Sequence, residues 1–365
     1  MSGFIGWHGN NRQSSSPSTP TPSVTPGYFG RGASKDQDPV IVTVKSDPTS
    51  VPQSSRPASK STRSRAASAA RPSIASVAAS ARLPIPDAMH SLVSTAEIVV
   101  IGVLDMTGSM STWPEEILKR LPRLHGDACE YFGTQSVEIL FIAHGDSRTD
   151  SHAIQVARFG SGPELEPMLA SFTSCGGGGQ GSESQEIVAT YLLQQVNTAS
   201  ARQVYTFFIT DEAACPEVDE QLVKRDLGIG VNANLRKTQA VFDLLKRRMN
   251  IYTVLCDTQY YSAGIRDEIR SFWQTTVGVE HVLPLNDARR VTDVMIGVFA
   301  KTTGQMGRFT GDLQARQGGT VHGKQNIATV MHSISMVGGS VHAPQVTGPG
   351  TRPLLPAGDP SHPSK

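Results

Sequence analysis

Asp105, Thr107 and Ser109 stand at alternate positions directly after the apolar run Ile98–Leu104. One carboxylate and two hydroxyls at i, i+2 and i+4 form an oxygen set suited to a hard divalent cation such as Mg2+. Two other loops carry groups that belong to the same kind of chemistry. Four consecutive glycines, Gly176–Gly179, lead through Gln180, Gly181 and Ser182 into an apolar helical pattern. Glycines before a helix let the backbone approach a ligand closely and aim N–H groups at it. Thr210-Asp211-Glu212 follows a second apolar run, Val204–Ile209. Any one of these strings is a weak signal, because Asp, Ser, Thr and Gly are ordinary turn formers. Three of them, each just after a strand or before a helix, meet at one edge of one sheet.

The elements that must position these loops alternate along the chain. Apolar runs at 97–104, 137–143, 153–159, 204–210, 251–255 and 281–285 read as strands, the last an edge strand because it contains Pro284. Helical patterns lie between them. One opens on a Thr112–Glu115 capping box, turns Ile117, Leu118, Leu121 and Leu124 inward, and is kinked by Pro122. Another opens on a Ser182–Gln185 box, with Ile187, Val188, Tyr191, Leu192 and Val196 as its stripe. Further helices are expected over 235–249 and 264–276. A last one, capped by Asp287, carries Val291, Val294, Met295, Val298 and Phe299. Strands separated by helices predict an α/β protein: three Rossmann-like layers, with a six-stranded, mainly parallel sheet covered on both faces. In such sheets the ligand lies beyond the carboxyl ends of the strands, where Asp105 and Asp211 fall.

Residues 1–88 are rich in Ser, Pro, Ala and Arg and poor in large apolar side chains, so a disordered arm is expected, with Val40–Val44 as one short strand candidate. The folded domain is expected over 92–303. An extension over 304–343 with one helix near Ile327–Val337 and a disordered tail over 344–365 follow. The formal net charge of the 365 residues is +1, which gives no global argument for nucleic acid or membrane. Between Val51 and Pro86, however, six basic residues (Arg56, Lys60, Arg63, Arg65, Arg71 and Arg82) stand without an acid. The four cysteines match no zinc or redox spacing and read as reduced thiols. The start of the chain lacks a secretory pattern and no run is long enough to span a bilayer, so an intracellular, cytoplasmic location is expected.

The stretch from Ile98 to Phe299 resembles a von Willebrand factor type A (VWA) domain. Its Asp105-x-Thr107-x-Ser109 is similar to the first motif of the metal-ion-dependent adhesion site of that family. Thr210-Asp211 is similar to the third motif, and the strand 281–285 followed by an Asp287-capped helix resembles the family's usual ending. Ala143-His144-Gly145-Asp146 and the glycine loop are most similar to an intracellular subgroup found beside some alpha-kinases. The resemblance implies a metal set of Asp105, Thr107, Ser109, Gln180, Ser182 and Asp211, with Mg2+ as the ion and Mn2+ as the alternative. Thr107 and Ser109 would bind directly, Asp105 and Asp211 mostly through water, and one position would stay open for a partner's Asp or Glu. Gln180 departs from the Thr or Asp of the family. Its neutral amide is a poorer Mg2+ ligand, and Ser182 or a water would compensate.

These features point to a binding protein with no catalytic residue, acting as a scaffold or adaptor through a partner's acidic residue; an AAA-type ATPase or a kinase fits such a role. His125, His144 and His152 read as surface or satisfied core residues. One alternative is a nucleic-acid-associated protein using the basic arm. The other is an Asp-dependent phosphoryl-transfer enzyme, which wants a second Asp where Thr107 stands.

Overall fold

The computed structural model describes residues 91–150, 152–175 and 182–338. The arm over 1–88, the strand candidate Val40–Val44, the glycine loop with Gln180 and the tail over 344–365 lie outside the described residues.

Six strands form the central sheet: β1 Ile98–Asp105, β2 Val137–His144, β3 Ile154–Val156, β4 Gln203–Thr210, β5 Asn250–Cys256 and β6 Val282–Leu285. Their order is β6-β5-β4-β1-β2-β3, parallel throughout except for β3, which pairs antiparallel with β2. All eight residues of β1 are buried, as expected of a central parallel strand covered on both faces. Alternate residues serve opposite cores. Ile98, Val100 and Leu104 join one apolar cluster, while Val99, Ile101 and Val103 join the other. Gly102 breaks the run for a steric reason. It faces Phe141 and Phe207 in register, and a Cβ there would lie 2.9 Å from the Phe141 ring.

Ten helices accompany the sheet among the described residues: α1 Trp113–Leu118, α2 Leu124–Phe132, α3 Leu165–Ala170, α4 Gln185–Gln195, α5 Glu220–Leu227, α6 Thr238–Lys246, α7 Ala263–Val277, α8 Val291–Thr302, α9 Met306–Gln317 and α10 Val321–Ser333. One face packs Phe132, Tyr205 and Phe299 with ring centroids 5.0 to 5.3 Å apart. The other packs Phe208, Phe242 and Trp273 at 5.3 to 5.8 Å. Such tilted and edge-on pairs add to the area the rings bury.

Several local expectations are corrected. Thr112 does not form a capping box: its backbone is already helical and its side chain accepts no cap hydrogen bond. Pro122 ends that helix outright, so α1 and α2 are separated by a 3-10 turn at Leu121–Arg123. Ser182 does not cap α4 either. It lies in a two-residue parallel bridge, Ser182–Glu183 against Ala213–Ala214, and Ser184 occupies the cap position. The helix expected over 235–249 is α6 alone, starting at Thr238, and neither α3 nor α5 has a counterpart among the helices expected from sequence.

In the carboxyl-terminal region the single predicted helix is replaced by two. Phe309 and Leu313 of α9, and Val330 of α10 with Ile334 and Val337 beyond it, join the same apolar cluster as α8. Asp293 of α8 is buried and pairs with Arg123, Arg290 and Arg316 at 2.8, 3.1 and 3.4 Å, tying three segments together. Gly323 lies in the first turn of α10, packed against the end of α9. Its N–H donates to Thr320 Oγ1 at 2.9 Å, and a Cβ on it would fall 1.6 Å from the Gln317 carbonyl oxygen. Gly323→Ala is therefore expected to destabilise the protein by about 1–3 kcal/mol, the usual penalty of forced overpacking. Urea unfolding should show a lower midpoint with an unchanged slope.

Candidate metal centre

Strand β1 delivers Asp105 to the sheet edge, and the chain then alternates. Met106 and Met110 are buried in the apolar cluster beneath, so Thr107 and Ser109 point the other way. A 3-10 turn at Gly108–Met110 holds the hydroxyls in place and ends at Ser111, whose φ is +50°. Asp105 Oδ1 accepts from Thr107 N at 3.0 Å and from Thr107 Oγ1 at 2.6 Å. Thr107 Oγ1 lies 3.2 Å from Ser109 Oγ, and Ser109 Oγ donates to Asp211 Oδ1 at 2.9 Å. Thr210 Oγ1, from the end of β4, donates to Asp105 Oδ2 at 2.7 Å. Thr258, after β5, donates to Asp211 Oδ2 at 2.7 Å. Of the residues named from sequence, the structure thus joins Asp105, Thr107, Ser109 and Asp211 in one continuous network.

Ser182 is placed differently. Its hydroxyl accepts from Cys215 Sγ at 3.5 Å, and no hydrogen bond among the described residues links it to those four. The residue after it, Glu183, is the one that approaches Asp105. Carboxylate oxygens of Asp105 and Glu183 and a ring nitrogen of His144 all lie within 4.8 Å of one another. From sequence, His144 is expected to be a surface or satisfied core residue. It is instead buried, and neither ring nitrogen has a hydrogen-bond partner among the described residues. The register explains its position: His144 ends β2 as the direct neighbour of Asp105 at the end of β1. Aligning the two strand ends in the sequence would have found it.

The electrostatics favour a cation. Asp105, Glu183, Asp211 and Glu212 are all buried. Among the described residues neither Asp105 nor Asp211 pairs with a Lys or Arg, and buried carboxylates without a counter-charge are costly. Burial, reinforced by the nearby Asp105 charge, pushes the Asp211 carboxyl up to about 6. Burial raises Glu212 to about 7, although the Tyr261 hydroxyl donates to its Oε1 and pulls the other way. Burial holds the His144 imidazole below its ordinary value against the pull of Asp105. The donors present therefore fit a divalent ion: two buried acids with no counter-charge and two hydroxyls within one network.

A neighbouring cluster braces the site. Ser184 Oγ donates to Asp146 Oδ1 at 3.0 Å and accepts from Ser147 N at 2.9 Å, joining the start of α4 to the loop after β2. Glu186, fully buried, accepts from Cys215 N at 3.2 Å, and its second oxygen has no hydrogen-bond partner among the described residues. Burial pushes its carboxyl up to about 8, with Arg148 opposing. The folded chain then keeps a proton on Glu186 that the unfolded chain loses near pH 4.5. Stability from this group is complete below that pH and is lost as pH rises towards 8, by at most about 1.4 kcal/mol per pH unit. Glu186→Gln should flatten this part of the decline and leave the variant more stable than wild type near pH 8. Urea unfolding in chelator at several pH values between 5 and 8 checks it.

All four cysteines are free and buried. Among the described residues no helix is long and apolar enough to cross a membrane. No protein-family model matches the chain, and no curated protein does. Solved structures of similar backbone include the pilus adhesin SpaC from Lactobacillus rhamnosus GG in its open conformation, at 12% identity over 59% of this chain, with a TM-score of 0.42. The vWF domain of the type V pili tip protein Mfa5 from Porphyromonas gingivalis matches at 10% identity over 59% of this chain and 96% of that one, with a TM-score of 0.40. Proximal thread matrix protein 1 from the mussel byssus matches at 8% identity over 58% of this chain and 49% of its own, with a TM-score of 0.38. The match covers 31% of the SpaC chain.

Proposed function

We propose that this chain is a VWA-type interaction protein that binds partners through a divalent cation, Mg2+ or alternatively Mn2+, and works as a scaffold or adaptor. The observation that carries the reading is the Ser109 Oγ to Asp211 Oδ1 hydrogen bond of 2.9 Å, which joins loops 102 residues apart into the Asp105-Thr107 network. Asp105, Thr107, Ser109 and Asp211 would hold the ion, with Gln180 as the contribution of the glycine loop. When bound, the cation supplies an electrophilic position for a partner's carboxylate. The two aspartates balance the dication, and Thr210 and Thr258 orient their outer oxygens.

Binding suits these residues better than catalysis. Both oxygens of Asp105 are taken up by Thr107 and Thr210, and the residue is fully buried, a poor arrangement for a nucleophile in phosphoryl transfer. We place the protein inside the cell, where free thiols such as its four cysteines persist. A partner of the AAA-type ATPase or kinase class, presenting an exposed acidic side chain, fits this role. The basic segment 51–86 is the feature that would serve nucleic acid, and it lies outside the described residues.

Interaction capture with the full chain in Mg2+ and in EDTA, with wild type and Ser109→Ala, tests the proposal. The expected outcome is a set of partners retained only by wild type with cation, and a fall in Mg2+ affinity of roughly 10-fold or more for the variant. Capture unchanged by both EDTA and the substitution would overturn it.

A further inference from the structure

His144 poses a problem that the oxygen set leaves unsolved. It is 1% exposed, and both of its ring nitrogens lack a hydrogen-bond partner among the described residues. A buried imidazole with neither nitrogen satisfied is rare in a native fold and asks for a missing ligand. The groups around it supply the answer. A ring nitrogen of His144 and carboxylate oxygens of Asp105 and Glu183 come within 4.8 Å of one another, and all three residues are buried.

We propose that His144, Glu183 and Asp105 form a second cation site, selective for a borderline transition metal of the Zn2+ class over Mg2+. A neutral imidazole is a good ligand for zinc and its neighbours, whereas Mg2+ takes oxygen ligands and gives up water reluctantly. The two carboxylates balance the charge of a dication, so the imidazole joins as a neutral ligand. Each ligand is carried by a fixed element. Asp105 and His144 are register partners at the ends of β1 and β2. Glu183 is held by the parallel bridge to Ala213–Ala214 immediately before α4. A site built on strand ends keeps its ligands together without a metal. It shares Asp105 with the adhesion-type site, but His144 and Glu183 take no part in that site, so the two readings fail separately.

The test uses the full chain and metals alone. Co2+, a spectroscopic stand-in for Zn2+, is titrated into wild type, His144→Ala and Glu183→Gln while visible absorption is followed, then displaced with Zn2+. The expected result is one saturable Co2+ site in wild type, lost on Zn2+ addition and weakened by roughly 100-fold or more in either variant. Mg2+ affinity of His144→Ala should stay near that of wild type. Pulsed EPR of Cu2+ bound to wild type adds a readout that needs no variant: nitrogen coupling from a directly bound imidazole is expected. Equal Co2+ binding by wild type and His144→Ala, no Co2+ binding by wild type, or an oxygen-only Cu2+ environment each overturns the proposal. Co2+ results as expected in a chain that binds no Mg2+ would leave this site standing and remove the adhesion-type reading.

Discussion

Asp105→Ala is expected to abolish binding of both classes of divalent cation in a single step, because both ligand sets pass through this carboxylate. In wild type, free cation at about 100 times its Kd should stabilise the fold by about 2.7 kcal/mol through linkage. The variant should gain nothing. Its behaviour in chelator sets it apart from ordinary destabilisation. Removing Asp105 forfeits hydrogen bonds from Thr107 and Thr210, but it also removes a buried negative charge that raises the carboxyl pKa of Asp211. The two effects oppose each other, so the metal-free variant should unfold close to metal-free wild type. Calorimetric melting with Mg2+, with Zn2+ and with EDTA reads both parts. A variant whose melting temperature still rises with either cation as wild type does would place that ion elsewhere in the molecule.

The layer order and the strand-end positions of Asp105 and Asp211 were legible because burial on both faces leaves long β-branched runs, such as Ile98–Leu104, that polar turns then interrupt. What the sequence hid has identifiable causes. Helix α5 exposes most of its surface and buries only Val223 and Leu227, too few for a periodic stripe. Its true signals were Asp219, which accepts from Gln221 N and Leu222 N, and Gly228, left-handed at φ +67°. Helix α9 likewise offers only Phe309 and Leu313, and two glycines dilute the pattern. At the site, Ser182 and Gln185 had the spacing of a capping box, yet Ser182 pairs as a strand and so brings Glu183 towards Asp105. A local motif lost to a tertiary contact. His144 was missed for a related reason: its significance comes from strand register, which a single strand does not reveal.

Trp273→Ala should be the most destabilising single core substitution near the site, at about 3–5 kcal/mol. Trp273 is fully buried on α7 and packs against Phe208, Phe242 and Phe272 at centroid distances of 5.8, 5.7 and 5.4 Å. Its truncation empties the junction between β4, α6 and α7. The indole also reaches the site, because Nε1 donates to the Glu212 carbonyl oxygen at 2.8 Å, one residue beyond Asp211. A second effect follows from that bond. Losing it leaves a buried carbonyl without its donor and loosens the loop that sets Asp211 against Ser109. Trp273→Phe separates the two consequences, since it keeps much of the ring volume but no N–H. Urea unfolding in EDTA should show a large loss for Ala and a smaller one for Phe, while both weaken Mg2+ binding in calorimetric titration. If Phe lowers stability but leaves Mg2+ affinity untouched, the indole hydrogen bond does not position Asp211, and the loop draws its order from Ser109, Thr258 and Tyr261.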